Sequence, residues 1–184
     1  IWIKDNQRAD GGWLHCPIRG ACDVLKLVLL NRSGKGLSDE KDPSIPSCPV
    51  ATYACMTALS ECGEERFSEA LTLAAENLLK INFSGNSRKS KTRCGLFTEL
   101  YKPGYPVMSQ FEIISLAKAV LSAGAWNSPG TGEMFNHIIT IQGSNGRWNS
   151  INRNQGMIRE KNGESRWVTL NALRLIKAVT DKEA

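Results

Sequence analysis

Histidine is scarce in this sequence: 184 residues hold two, His15 and His137, and no Cys-x-x-Cys pair occurs anywhere. Structural zinc sites draw on closely spaced Cys and His. His15-Cys16 followed by Cys22 offers soft ligands, but without the usual spacing no metal site is expected. Long apolar runs are missing too. A membrane-spanning helix needs roughly 18 such residues or more, and the longest candidate, Val24–Leu30, is broken by Lys26. The opening Ile1-Trp2-Ile3 shows neither the basic stretch nor the apolar core of a secretory leader. It reads as the tail of an element whose body is absent.

Charge is unevenly placed. The net +5 is accounted for between Lys80 and Lys102, which carry six bases against the single acid Glu99. Within that stretch, Ser84–Lys91 reads as a polar loop, and Arg88–Arg93 is its basic part. No aromatics interleave with the bases, so the stacking platform of a single-strand nucleic-acid site is lacking. The loop is read as a solvated surface and no nucleic-acid partner is expected. Six cysteines (Cys16, Cys22, Cys48, Cys55, Cys62 and Cys94) make an even number, but a chain of this size needs no disulfide staples. Cys55 and Cys62 share a helical stripe with Ala51 and Ala58, where thiols act as small core hydrophobes. Reduced thiols and a cytoplasmic chain are the expectation.

Six segments carry helical periodicity and none carries convincing strand alternation. They are Cys22–Asn31, Pro49–Cys62, Arg66–Ile81, Val107–Ala123, Thr131–Ile141 and Val168–Val179. Pro49 suits a first helical position and Gly63 an ending. Ser128 is the expected N-cap of the fifth segment and Ser165 that of the sixth. The fold class is therefore all-α, in one domain over residues 1–184.

The helices repeat. Gln7-Arg8-Ala9-Asp10-Gly11-Gly12-Trp13 and Gln142-Gly143-Ser144-Asn145-Gly146-Arg147-Trp148 share the pattern Gln-x-x-x-Gly-x-Trp, each preceded at one offset by Ile3 or Ile138. A worn third copy, Leu78, Asn82 and Gly85 without a Trp, lies between them. The residue types point to structure, not catalysis. Gln on a last helical turn suits free N–H groups of a neighbouring helix, Gly permits the sharp exit, and Trp covers the turn while its indole N–H finds an acceptor. Asp10 beside Gly11 reads as a turn residue.

Gln-x-x-x-Gly-x-Trp resembles the QW motif of terpenoid cyclases and the related repeats of protein prenyltransferases. Phe97-Thr98-Glu99-Leu100, Tyr105-Pro106-Val107, Ser165-Arg166-Trp167-Val168-Thr169-Leu170 and Cys48-Pro49-Val50-Ala51-Thr52 are similar to segments of prokaryotic proteins with prenyltransferase/squalene-oxidase repeats. The resemblance implies an α/α toroid of helical hairpins. About three hairpins are present, roughly half a toroid, which makes the chain an expected fragment of a longer protein or a partner in a homo-oligomer. It implies no catalytic residue. The Asp-x-Asp-Asp acid of the cyclases, the Asp-rich magnesium sites of class I synthases and the Asp/Cys/His zinc set of prenyltransferases find no counterpart, and no cofactor is expected. Glu61-Cys62-Gly63-Glu64-Glu65 approaches the thioester motif of complement-like proteins, but Glu65 stands where a Gln is required.

The function implied is a terpenoid-cyclase/prenyltransferase-like repeat domain that binds an apolar or isoprenoid ligand, or a partner, without complete catalytic machinery. The alternative is a squalene cyclase or prenyltransferase whose acid or metal site lies outside this chain. His15, Tyr101, Tyr105 and Trp126 are the candidates for lining a ligand cavity, the aromatic faces being suited to isoprenoid chains and cations. Packing between hairpins is the competing role for the aromatics.

Overall fold

The computed structural model describes residues 2–14, 46–83, 101–104, 111–150 and 163–183. Among them it is all-α. One turn, α1 (Trp2–Asp5), is followed by α2 (Pro49–Glu61), a 3-10 turn (Glu65–Phe67), α3 (Ser68–Phe83), α4 (Ile113–Ser122), α5 (Thr131–Thr140) and α6 (Arg166–Glu183). The nearest thing to a strand is one antiparallel bridge, Asn149 to Glu164. No helix among the described residues is long and apolar enough to cross a membrane.

Local chemistry explains most boundaries. Pro49 occupies the start of α2, where its missing N–H costs nothing, and Gly63 leaves it at φ +64°. Ser165 caps α6, its Oγ accepting from Val168 N at 3.3 Å. Two expectations need correction. The apolar run from Val107 does not mark one helix: α4 begins at Ile113, and Glu112 precedes it in an extended conformation as the N-cap. Burial drives the apolarity of Phe111, which stacks on Tyr53 with ring centroids 4.5 Å apart. Ser128 does not cap α5 either. The N-cap is Gly130 at φ 92° with no side-chain cap, while Ser128 Oγ donates to Glu76 Oε1 at 3.3 Å. The segment Cys22–Asn31 lies outside the described residues.

Helix α2 packs on α3 and α4, α3 also on α5, and α4 on α5 and α6. The even-numbered helices thus touch in chain order, α2 to α4 to α6, with α3 and α5 beside them. Met56, Leu59, Leu78, Leu79, Ile113, Leu116, Met134, Ile138 and Leu175 are fully buried between them. The cysteine stripe is only half in this core. Cys48 is buried and Cys55 partly so, but Cys62 is exposed, as is Ala58. The stripe is covered at Ala51 and open at Ala58 and Cys62, which corrects the reading of Cys62 as a core residue.

Candidate functional site

The two Gln-x-x-x-Gly-x-Trp segments are copies of one turn, matched bond for bond. Gln7 N donates to Lys4 O at 3.1 Å and Gln142 N to Ile139 O at 3.1 Å. Gly11 N bonds Arg8 O at 2.9 Å, and Gly146 N bonds Gly143 O at 2.9 Å. Both glycines sit at positive φ, +84° and +78°, the left-handed region where a side chain is strained. Gln7 Nε2 donates to Gly11 O at 2.8 Å, and Gln142 Nε2 to Gly146 O at 2.9 Å. The Gln therefore closes its own turn by donating to a carbonyl, rather than accepting from N–H groups of the next helix as the sequence suggests.

Each Trp then locks the turn to the helix before it and the helix after it. The indole N–H of Trp13 donates to Ile3 O at 2.7 Å, and that of Trp148 to Ile138 O at 2.7 Å. Carbonyls in a helix's last turn have no partner within it, and the indole supplies one. The backbone N–H of Trp13 reaches Thr52 Oγ1 at 3.1 Å, and that of Trp148 reaches Thr169 Oγ1 at 3.2 Å. Trp13 O accepts from Cys48 N at 2.8 Å, and Trp148 O from Ser165 N at 3.0 Å. Trp13 is 3% exposed and Trp148 0%. Gln7, Gly11, Trp13, Gln142, Gly146 and Trp148 thus meet in two turns built from the same bonds. In the worn copy, Asn82 Nδ2 turns back to Leu78 O at 2.7 Å; Gly85 lies outside the described residues.

The copies differ in what covers them. Helix α3 lies across the first turn, where Gln7 Nε2 makes a second bond to Ala70 O at 2.8 Å and Asn77 Nδ2 donates to Asp10 O at 2.8 Å. A Cβ on Gly11 would stand 2.4 Å from Leu73 O, whereas at Gly146 the nearest atom would be Gln142 Nε2 at 3.7 Å. Asp10 is a turn residue, as expected. Burial pushes its carboxyl up, but hydrogen bonds from the Ser47 hydroxyl and N–H and from Gly12 N–H, with the Arg8 charge nearby, outweigh that and hold it below its ordinary value.

Of the cavity candidates, Tyr101 and Trp126 are described, and both are partly buried against the core. Tyr101 sits edge-on to Phe83, with centroids 5.6 Å apart, and its backbone oxygen meets His137 Nε2 at 2.8 Å. Its hydroxyl donates to Asn82 O. It ties α3 to α5. His15 and Tyr105 lie outside the described residues. Among the described residues, no group of three or more His, Cys, Asp or Glu is placed to hold a metal ion.

Two features have no signal in the sequence. The first is a buried polar knot at the start of α4. Both carboxylate oxygens of Glu112 accept from the helix, from Ile114 N at 2.9 Å and Ser115 N at 2.7 Å, and the Ser115 hydroxyl donates to one of them. Burial raises the Glu112 carboxyl above its ordinary value in spite of these bonds. Tyr53 from α2 is raised mainly by the same desolvation. Its bonds from Ile114 N and Ser115 N make Glu112 the N-cap of α4, and a backbone bond from Gly104 adds to the knot. The second is a cleft of about 320 Å³ lined by Glu76, Leu79, Lys80, Phe83, Pro129 and Gly130. It opens between the C-terminal half of α3 and the turn into α5. Its walls are apolar, with one cation and one carboxylate supplied by α3.

A scan against protein-family models and searches of curated proteins and solved structures found no match to the chain.

Proposed function

We propose that the chain is a helical-repeat binding domain of the terpenoid-cyclase and prenyltransferase kind, a partial α/α toroid of hairpins that holds an isoprenoid ligand without turning it over. The observation that carries this reading is the duplicated turn. Two segments far apart in the chain use the same Gln, Gly, Trp and Thr atoms for the same bonds, Gln and Gly closing the turn and Trp and Thr tying it to the helices on either side. The repeated chemistry belongs to the scaffold and leaves catalysis no repeated group.

The cleft between α3 and α5 supports the ligand class. At about 320 Å³ it falls at the small end of ligand pockets. Leu79, Phe83 and Pro129 suit a hydrocarbon chain, and Lys80 suits an anionic head such as a diphosphate. Calorimetric titration with farnesyl diphosphate tests this. The expected result is one site per chain and at least a tenfold loss of affinity in Lys80→Glu, about 1.4 kcal/mol. Absence of binding, or equal binding by the variant, would overturn the assignment. Release of diphosphate during the titration would favour the enzyme reading instead.

A further inference from the structure

The two turns differ at one contact that their shared bonds bring into register. Trp13 O and Trp148 O accept from Cys48 N and Ser165 N, so Asp10 corresponds to Asn145 and Ser47 to Glu164. The side chain folds the same way in both copies: Asp10 Oδ1 accepts from Gly12 N at 3.2 Å, and Asn145 Oδ1 from Arg147 N at 3.1 Å. An Asx side chain bonded to the backbone two residues on is a common turn device. Polarity across the contact is reversed. The Asp10 carboxylate faces donors, the Ser47 hydroxyl at 2.6 Å and the Ser47 N–H at 3.0 Å. The Asn145 amide faces an acceptor, its Nδ2 donating to Glu164 Oε1 at 2.6 Å.

Asn145 is followed by Gly146, and that pair is open to a reaction of its own. Gly146 has no Cβ to crowd the approach of its backbone nitrogen to the side-chain carbon Cγ of Asn145. The surroundings are roomy as well, since an added Cβ would find its nearest neighbour 3.7 Å away. With Oδ1 bonded to Arg147 N, the Asn145 side chain lies folded over Gly146. The same N–H points at the oxygen that takes negative charge when Cγ is attacked, as a donor in an oxyanion hole does. Gly146 N is held by Gly143 O at 2.9 Å, and this bond must open first. Gly143, Ser144, Asn145, Gly146 and Arg147 are all exposed, and exposed turns open at the low end of the free energies of local unfolding.

We propose that Asn145 is a deamidation site, and that the aspartate it yields opposes Glu164 and loosens the second turn. Gly146 N forms a bond to Asn145 Cγ, the Cγ–Nδ2 bond breaks, and the proton from Gly146 N leaves with Nδ2 as ammonia. Water then opens the cyclic imide at either carbonyl, which leaves aspartate or its β-linked isomer. The net exchange is one water in and one ammonia out. The reaction is independent of any ligand.

The first turn shows what an aspartate needs at this position, which is the pair of donors that Ser47 supplies. Glu164 presents a carboxylate there instead. An aspartate at 145 loses the bond to Glu164 Oε1 and sets one carboxylate against another, an arrangement that like charges disfavour. Arg147 Nη1, 3.3 Å from Glu164 Oε2, then serves two carboxylates instead of one. Glu164 also carries the bridge to Asn149 just ahead of α6, so the change reaches the entry to that helix. The β-linked isomer goes further. It inserts Cβ into the main chain and ends the match to the first turn.

Timed incubation in mildly alkaline buffer, followed by peptide mapping with mass spectrometry, tests the reaction. Asn127 and Asn149 are exposed and followed by serine, and they serve as internal comparisons. Conversion at Asn145 is expected to be at least about tenfold faster than at either, a barrier difference of about 1.4 kcal/mol. Equal rates at the three positions, or no conversion at Asn145, would overturn the proposal. Urea unfolding of Asn145→Asp, followed by circular dichroism, tests the consequence. Its midpoint is expected to fall, and the same substitution made in Glu164→Gln is expected to cost clearly less. An unchanged midpoint, or an equal loss in the two backgrounds, would show that Glu164 does not oppose the product and would overturn the loosening.

Discussion

Truncating Trp148 measures what the repeated turn contributes. The ring is 0% exposed, and its N–H lies 2.7 Å from Ile138 O. Trp148→Ala removes the whole ring from a packed site, and large-to-small changes of this kind cost about 3–5 kcal/mol, the higher figure applying where the site cannot collapse. Here the Trp148 backbone stays tied to α6 through Ser165 N and Thr169 Oγ1, so little collapse is expected. Trp148→Phe separates the two contributions. It keeps most of the apolar volume but leaves the Ile138 carbonyl without its donor, for about 1–3 kcal/mol. Urea unfolding followed by circular dichroism reads both from the shift in midpoint at constant slope. The bond-for-bond match further predicts that Trp13→Ala, at 3% exposure, falls in the same range. A loss below about 1 kcal/mol for either alanine variant would refute the claim that these turns hold the helices together.

The glycines of the two turns should respond differently to one substitution. Gly11→Ala meets both a positive φ and the Leu73 carbonyl, whereas Gly146→Ala meets the positive φ alone. The second should cost about 1 kcal/mol and the first clearly more, and equal losses in urea would show that α3 does not bear on the first turn. Glu112 gives a pH signature. Its carboxyl is raised by burial from an ordinary value near 4.5, so between that value and its raised one the folded chain holds a proton that the unfolded chain releases. The contribution is complete below the ordinary value and is lost as pH rises through the folded one. Glu112→Gln should remove this slope from unfolding measured between about pH 4 and 7, and parallel curves for the two proteins would contradict it.

The helices were legible because periodicity and punctuation agree: Pro49 and Gly63 bracket α2, and Ser165 opens α6. The turn motif was legible because Gln, Gly and Trp each carry a distinct chemistry. What failed were signals with two causes. The apolar stretch around Phe111 reads as helix by composition, yet that ring is apolar because it stacks on Tyr53. Glu112 is not among the preferred capping residues, so nothing local announced it over Ser or Asp. Ala58 and Cys62 continue an apolar helical stripe beyond the part, at Ala51, that is covered. The cleft of Leu79, Phe83, Pro129 and Gly130 joins elements distant in the chain, and no local pattern carries that juxtaposition. The ring of Tyr101 suits a cavity wall, but its hydroxyl and backbone oxygen are both spent on packing α3 to α5.

Native mass spectrometry of the chain incubated with farnesyl diphosphate, followed by extraction and product analysis, reads binding and turnover of an isoprenoid together. The expected result is a one-to-one adduct whose extracted ligand has the mass of intact farnesyl diphosphate. No adduct at about 100 µM ligand, well above a micromolar Kd, would contradict the binding claim, and recovery of free diphosphate with a rearranged or transferred hydrocarbon would contradict the absence of catalysis.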